Sequence, residues 1–417
     1  MTTVIVVSDG ANFIGGAQDV AATSAIELSK DNNYRVIMFA GSGPIDKKLN
    51  DSKVEVICLN SLGIADDRNR IRAIINGIYN FKAQNKLRNL LASLDPKNTI
   101  VHIHSWQSVL SQSIFKPIVK GGFPMIVTLH DYFIVCPNGG LFDYQRKSLC
   151  NYRPMSLECI KCNCDKNNYF HKIYRCLRTT LQNRYVRNNN RVTYIGIAKN
   201  NIELVKAYVS SPNFYRIDNP VQMRKVKNNL DINSNLFVYI GRVSEEKGID
   251  VFCEAIRLLK SRNVNVSATI IGDGPLKRSL ESKYTNINFA GWKNKNEVYE
   301  ILKKARALVL PSIWHEGSPL VLVEALSAGV PCIISDSITV AGELIIDGYN
   351  GSVFSAGNYN SLADAIIYNL NYENSLRMKK NILEKVDLSS YEIAKHTAKL
   401  KSLYEKLLKR YASIRDE

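Results

Sequence analysis

The sequence predicts an α/β fold in which two doubly wound parallel sheets follow one another along the chain. Three observations carry this. Short apolar runs (4–8, 125–129, 236–240, 307–310) alternate with longer segments of helical periodicity, the pattern of buried parallel strands joined by helices. Polar, glycine-bearing loops follow several of these runs. The alternation breaks at residue 131, resumes near 193 and starts afresh at 236, so the 417 residues divide into two cores rather than one.

In order, strands are expected at 4–8, 35–40, 54–59, 99–104 and 125–129, with helices over 17–29 and 70–94. Residues 131–190 read as an insertion, poor in strand signal and rich in Asn, Cys and positive charge. The first sheet resumes at 193–197, and Asp218-Asn219-Pro220 reads as a linker. The second alternation gives strands at 236–240, 266–271, 287–290, 307–310, 331–335 and 351–354. Ile249, Phe252, Ile256 and Leu259 keep helical spacing between the first two of them. A long amphipathic helix capped by Ser389 or Ser390 ends the chain. The predicted organisation is a first domain over 1–218, a second over 219–388, and a terminal helix over 389–417 that turns back toward the first.

The net charge is +17 and uneven. Between Tyr144 and Lys227 stand 17 Lys and Arg against 4 acids, a net +13. Such a face attracts phosphates, or is simply a solvated basic surface. No RNA-recognition signature interleaves aromatics with these charges, so nucleic acid is not the expected partner. The longest apolar runs, 305–311 and 325–334, fall far short of the roughly 20 residues of a membrane-crossing helix. The opening MTTVIVVSDG reads as a first buried strand and not as a signal peptide. A cytoplasmic chain is expected, with its nine cysteines as thiols or ligands.

The most informative segment runs from Pro311 to Ala325. Ser318 before Pro319 reads as a side-chain cap followed by proline at the first helical position. The helix then opens straight after a strand and loop, where open α/β sheets bind ligands. The free amides of Leu320 and Val321, with the helix dipole, suit a diphosphate. Gly317 permits close approach of a ligand to the backbone. Glu324 lies five residues beyond Pro319, about 7.5 Å along the axis, where a ribose diol would fall. Glu316 and Glu324 stand in the frame E-G-x-P-L-x-x-x-E-A. On another loop, Gly241-Arg242 and Lys247-Gly248 place two cations at a helix start, able to neutralise a leaving diphosphate.

Glu316, Glu324 and the G-R-x-x-x-x-K-G loop resemble the family 4 retaining glycosyltransferases of the GT-B fold. The resemblance implies two Rossmann-like domains with a central cleft. It implies that Glu324 holds the donor ribose, that Glu316 sits by the transferred sugar, and that Ser318, Leu320 and Val321 contact sugar hydroxyls and diphosphate. Gly15 and Gly16, after the first strand, fall where the family has an acceptor or phosphate loop. The acidic residue often found two places on is Gln18 here. His130 ends a buried strand where a family histidine contacts the donor sugar. His102 and His104 read as packing residues. The sequence holds no D-x-D, in keeping with transfer that needs no catalytic metal.

Cys136, Cys150, Cys159, Cys162 and Cys164 lie close together in the insertion. Cys159-x2-Cys162 has ligand spacing, and with Cys136 and Cys150 it makes a candidate structural zinc site; Cys164 is an alternative to Cys162, and free thiols are the other reading.

The expected activity is transfer of a sugar from a nucleoside diphosphate sugar (UDP- or GDP-linked) to a saccharide or polyprenyl-diphosphate-linked acceptor in surface polysaccharide synthesis. The basic insertion adds an anionic membrane surface as a partner. A sugar-nucleotide epimerase and a non-catalytic nucleotide-sugar-binding protein are the alternatives.

Overall fold

The computed structural model describes residues 1–12, 15–224, 233–340 and 342–416, with side chains up to 412. The chain forms two compact units. One comprises Met1–Gln145, Cys150–Pro220 and Tyr391–Glu417; the other comprises Arg146–Leu149 and Val221–Ser390.

The first unit is built on seven parallel strands: β1 (Thr2–Gly10), β2 (Tyr34–Ser42), β3 (Glu55–Cys58), β4 (Thr99–Ile103), β5 (Met125–Leu129), β8 (Val192–Gly196) and β9 (Phe214–Arg216). The insertion after β5 carries two short strands, β6 (Phe142–Asp143) and β7 (Ser148–Leu149). The helices used below are α1 (Gly16–Ser29), α2 (Arg70–Ile78), α3 (Phe81–Ala92), α4 (Leu157–Lys161) and α5 (Tyr169–Val186). Sheet order is β3-β2-β1-β4-β5-β8-β9, so the chain reverses its direction of travel between β1 and β4.

Both faces of this sheet are covered, as a parallel sheet requires. Val4, Val6, Val36 and Met38 join one apolar cluster; Ile5, Val7, Ile37 and Phe39 join the other. The terminal helix, α9 (Ile393–Asp416), closes the first cluster with Leu400, Leu403, Tyr404 and Leu407. At roughly 1.5–3 kcal/mol per fully buried large apolar side chain, these contacts hold the helix firmly. His396 of α9 pins it further, 2.9 Å from Ser24 Oγ and 2.8 Å from the Asp218 carbonyl.

The single helix expected over 70–94 is two. Asn80 interrupts it, and its side chain accepts from the Ala83 amide (3.0 Å) to start α3. The insertion, expected to be poor in strands, contains the 18-residue α5, capped by Asn168.

The second unit has six parallel strands: β10 (Leu236–Ile240), β11 (Ser267–Ile271), β12 (Asn288–Gly291), β13 (Ala307–Leu310), β14 (Cys332–Ser335) and β15 (Gly351–Phe354). Their order is β12-β11-β10-β13-β14-β15, with the reversal between β10 and β13. The helices α6 (Ile249–Ser261), α7 (Lys295–Lys303) and α8 (Leu320–Ser327) follow β10, β12 and β13. The predicted doubly wound α/β architecture is therefore present twice. Among the described residues, no helix is long and apolar enough to cross a membrane.

Candidate active site

A doubly wound sheet binds ligands beyond the carboxyl ends of its strands, where the strand order reverses. In the second unit that point lies between β10 and β13. Arg242 and Lys247 stand on the loop after β10; Ser312 to Ser318 stand on the loop after β13.

The two loops touch backbone to backbone. The Ile313 amide donates to the Glu246 carbonyl at 3.0 Å. Gly248 has φ +64°, and a Cβ there would lie 2.0 Å from the Pro311 carbonyl oxygen. Only glycine combines that torsion with that closeness. The loop after β11 joins in the same way, since a Cβ on Gly272 would meet the Gly241 carbonyl at 1.9 Å.

This packing brings the predicted charges together. Lys247 Nζ forms an ion pair with Glu316 Oε1, and Ser312 Oγ donates to Glu316 Oε2. Lys247 also lies 5.5 Å above the Trp314 ring. Its side chain is 19% exposed and that of Glu316 13%, so the pair is largely withdrawn from water yet reachable. Glu316 is held from behind: its carbonyl accepts from Thr339 N (2.7 Å), and the Gly317 carbonyl accepts from Thr339 Oγ1 (2.6 Å). Arg242 is exposed, and its backbone carbonyl accepts from Tyr239 OH at 2.8 Å.

The start of α8 differs from expectation. Pro319 is the N-cap residue itself, the helix begins at Leu320, and no side chain caps it. Ser318 precedes the cap by one residue, and its hydroxyl makes no hydrogen bond to the first-turn amides. The first-turn N–H groups thus lack a side-chain partner of the usual kind. Ser318 Oγ and Trp314 Nε1 are buried with no hydrogen-bond partner, a state that native structures seldom leave unexplained. Leu320, Val321 and Glu324 share one half-buried face of α8, while Leu322, Val323, Ala325 and Leu326 are buried. Glu324 lines a small cavity with Arg224 and with Lys295 and Tyr299 of α7. The Arg224 guanidinium stacks on Tyr299 at 4.8 Å. Sequence reasoning missed Ser312, Trp314, Arg224 and Tyr299, none of which belongs to a recognisable spacing.

In the first unit the reversal point lies between β1 and β4. Gly15 is the N-cap of α1, with φ +103°, and a methyl added there would meet nothing within 4 Å; Gly16 opens the helix. Asp9, at the end of β1, accepts from the amides of Ser108 (2.8 Å), Val109 (2.9 Å) and Leu110 (2.9 Å) after β4. His130 Nε2 lies 3.0 Å from His104 Nδ1. His104 is thus the direct partner of His130 and more than the packing residue its position on a strand suggested. His102 is bound on both sides, to Tyr404 OH and Thr128 Oγ1, each at 2.7 Å.

Burial pushes His130 and His102 down to about 3 and His396 to about 4, and holds His104 well below the ordinary range. All four are therefore neutral at pH 7. Proton uptake sets the sign of the pH dependence. An unfolded chain protonates these rings near pH 6.5 and the folded chain does not, so stability is full above that pH and falls as pH drops through it. Each of His102 and His396 costs roughly 2 kcal/mol at pH 5 on this count. Asp131, pushed up to about 7 by burial, works in the opposite direction, gaining stability as pH falls from 7. With more histidines than acids involved, thermal melts between pH 7.5 and 5 should show a clear net fall in Tm. His102→Gln should flatten that slope.

The cysteines do not assemble as the zinc reading expects. Cys136 Sγ donates to Asn138 Oδ1 (3.1 Å), and Cys162 Sγ lies 3.5 Å from Asp143 Oδ2. The fully buried ammonium of Lys172 sits 3.4 Å from Cys159 Sγ and 3.2 Å from Cys164 Sγ. A cation of the chain itself thus stands between two of the sulfurs. Among the described residues no three His, Cys, Asp or Glu side chains, Cys136, Cys150, Cys159 and Cys162 included, are grouped to hold a metal ion.

Two doubly wound sheets in succession, with paired charges at the β10/β13 reversal, define two Rossmann-like domains of the GT-B class, and comparison with known proteins agrees. Residues 222–385 match the family model described as Glycosyl transferases group 1, and the fold is GT-B. The chain is 32% identical over 181 residues to the UDP-Gal:alpha-D-GlcNAc-diphosphoundecaprenol alpha-1,3-galactosyltransferase of Escherichia coli, a match spanning 41% of this chain and 46% of that protein. The likeness in sequence thus covers less than half of that relative's length. Sucrose-phosphate synthase from Thermosynechococcus elongatus superposes with a TM-score of 0.72 at 16% identity, covering 98% of this chain and 100% of that one. HepE of Anabaena, solved in complex with UDP-glucose, gives 0.67 at 13% identity, covering 97% and 100%.

Proposed function

We propose that this protein is a retaining glycosyltransferase that moves a sugar from a UDP-sugar to a lipid-linked saccharide acceptor in surface polysaccharide synthesis. The observation that carries the reading is the cluster at the β10/β13 reversal: an uncapped helix start, buried unpartnered donors on Ser318 and Trp314, and the Lys247–Glu316 pair beside them. Amides at a helix start and a cation are what a diphosphate needs.

In this reading the amides of Leu320 and Val321, with Arg242 and Lys247, hold the diphosphate. Glu324 accepts hydrogen bonds from the ribose diol. Glu316 orients the transferred sugar; within the first unit, neutral His130, set by His104, is a hydrogen-bonding group suited to a sugar hydroxyl. The bond between the anomeric carbon and the phosphate oxygen breaks, and its electron pair leaves with the nucleoside diphosphate. The acceptor hydroxyl oxygen bonds to the anomeric carbon from the same face, and its proton passes to the departing phosphate oxygen. The negative charge that builds on the leaving group is where Arg242 and Lys247 act most. Transfer by this route continues in excess chelator.

The donor named for the Escherichia coli relative, UDP-galactose, and the UDP-glucose bound to HepE favour uridine over guanosine. The lipid diphosphate in that relative's name favours a polyprenyl diphosphate carrier, and with it an anionic membrane surface. Thermal shift against UDP-, GDP-, ADP- and CMP-sugars tests the donor: a ligand at about 100 times its Kd adds about 2.7 kcal/mol, a shift of several degrees, expected for UDP-sugars first. Product analysis with acceptor present and absent then tests the reaction. Epimerised donor without acceptor, or tight binding with no turnover, would each replace this reading.

A further inference from the structure

Part of the first unit inverts the usual polarity of surface helices. A helix on a soluble protein turns its apolar stripe inward. Here α2 buries the small residues Ala73 and Gly77 and turns Ile71, Ile74 and Ile75 outward, with Ile71 73% exposed. The first half of α5 does the same with Phe170, 85% exposed, and with Ile173 and Leu177. Spacings of three and four residues set each trio on one face of its helix.

The two faces are continuous. Tyr174 OH of α5 donates to the Ile74 carbonyl of α2 at 3.2 Å, so the helices touch beside the exposed residues. Tyr169 OH donates to the Ile160 carbonyl at 3.1 Å, which brings α4 and its exposed Leu157 to the same edge. Soluble monomers seldom leave a contiguous apolar surface of this kind uncovered.

The rim indicates what covers it. Arg68, Arg70, Arg72, Lys161 and Lys166 are exposed around the apolar residues. Arg72 and Asp67 pair with each other at 2.7 Å, which leaves four exposed cations, Arg68, Arg70, Lys161 and Lys166, against the exposed acids Asp66 and Glu158. A second copy docked on the same face would bring like charges together. An anionic bilayer offers both an apolar interior and a phosphate surface.

We infer that α2 and the first half of α5 dock on an anionic lipid bilayer, with Ile71, Ile74, Phe170 and Ile173 entering the headgroup boundary and Arg68, Arg70 and Lys166 lying on lipid phosphates. The inference deepens the membrane part of the function proposed above, and its test reads lipid binding alone. The full chain is sedimented with vesicles of phosphatidylcholine, with and without phosphatidylglycerol, alongside Ile71→Ser/Phe170→Ser and Arg68→Glu/Arg70→Glu. The replaced side chains are exposed, so an unchanged Tm and an unchanged response to UDP-sugar show that each variant is folded.

The wild type should bind anionic vesicles about tenfold more tightly than neutral ones, and each double variant should lose about tenfold on the anionic vesicles. Wild-type protein that stays in the supernatant, or variants that sediment as it does, would overturn the inference. So would a wild-type dimer in lipid-free buffer that Ile71→Ser/Phe170→Ser converts to monomer, since the occupant would then be a second copy. A chain that binds vesicles as expected but responds to no nucleotide sugar would sink the reaction and leave the docking face standing.

Discussion

Lys247→Ala should abolish measurable transfer in a protein that still folds, and should be worse than removing both members of its ion pair. The reason lies in what remains. Lys247 is the partner of a Glu316 carboxylate that is only 13% exposed. Without the ammonium, that carboxylate faces the site where a diphosphate is proposed to bind and repels it. Losing one group that stabilises developing charge costs about 3–4 kcal/mol, or 100- to 1,000-fold in kcat. The uncompensated half-buried charge adds to this. Glu316→Ala alone should cost the smaller factor, because Lys247, freed from its ion pair, can meet phosphate directly. Lys247→Ala/Glu316→Ala should therefore be more active than Lys247→Ala. Steady-state kcat and KM of the three variants form the cycle that checks it. Strictly additive losses would mean that the two residues act independently.

Gly248→Ala should unsettle the second unit and the site together. The new methyl would have to stand 2.0 Å from the Pro311 carbonyl oxygen, against rigid backbone, at a φ of +64°. The left-handed torsion alone costs about 1–2 kcal/mol. Moving the Pro311 loop breaks the Ile313–Glu246 hydrogen bond and displaces Ser312 and Glu316 from Lys247. The total should exceed about 3 kcal/mol, read as a large fall in Tm. Gly357→Ala is the control, since its φ is +77° but nothing lies within 4 Å of the added carbon. It should lose only the torsional part and keep its response to donor. Equal Tm losses in the two variants would show that contact with Pro311 carries no cost.

What was legible in the sequence follows the range of each interaction. Glu316, Gly317 and Glu324 sit in one short segment, so their spacing and its resemblance to a known motif single them out without knowledge of the fold. The pairing of Lys247 with Glu316 spans 69 residues and depends on how the loops after β10 and β13 meet; no local pattern encodes it. The same holds for His104 and His130, just past the ends of neighbouring strands and 26 residues apart. A histidine on a buried strand reads as packing until the register is known. Ser318 misled for a different reason. It precedes a proline, which suggested a cap and a first helical residue, yet Pro319 takes an extended torsion and serves as the cap itself. The cysteine spacing directed attention to Cys162, whereas the fold turns Cys162 toward Asp143 and sets Cys164 beside Lys172. A buried lysine eight residues beyond the last clustered cysteine carries no ligand signature, so its place could not be read from spacing. The apolar face of α2 was equally hidden, because a run such as Ile74-Ile75 reads as core in any sequence.

A diphosphate seated at the start of α8 is the central claim, and a crystal structure of the protein with UDP tests it most directly. The diphosphate oxygens should lie within hydrogen-bonding distance of the Leu320 and Val321 amides and of Arg242 or Lys247, with both ribose hydroxyls on the Glu324 carboxylate. UDP bound away from α8, or with its ribose out of reach of Glu324, would contradict the assignment of the site.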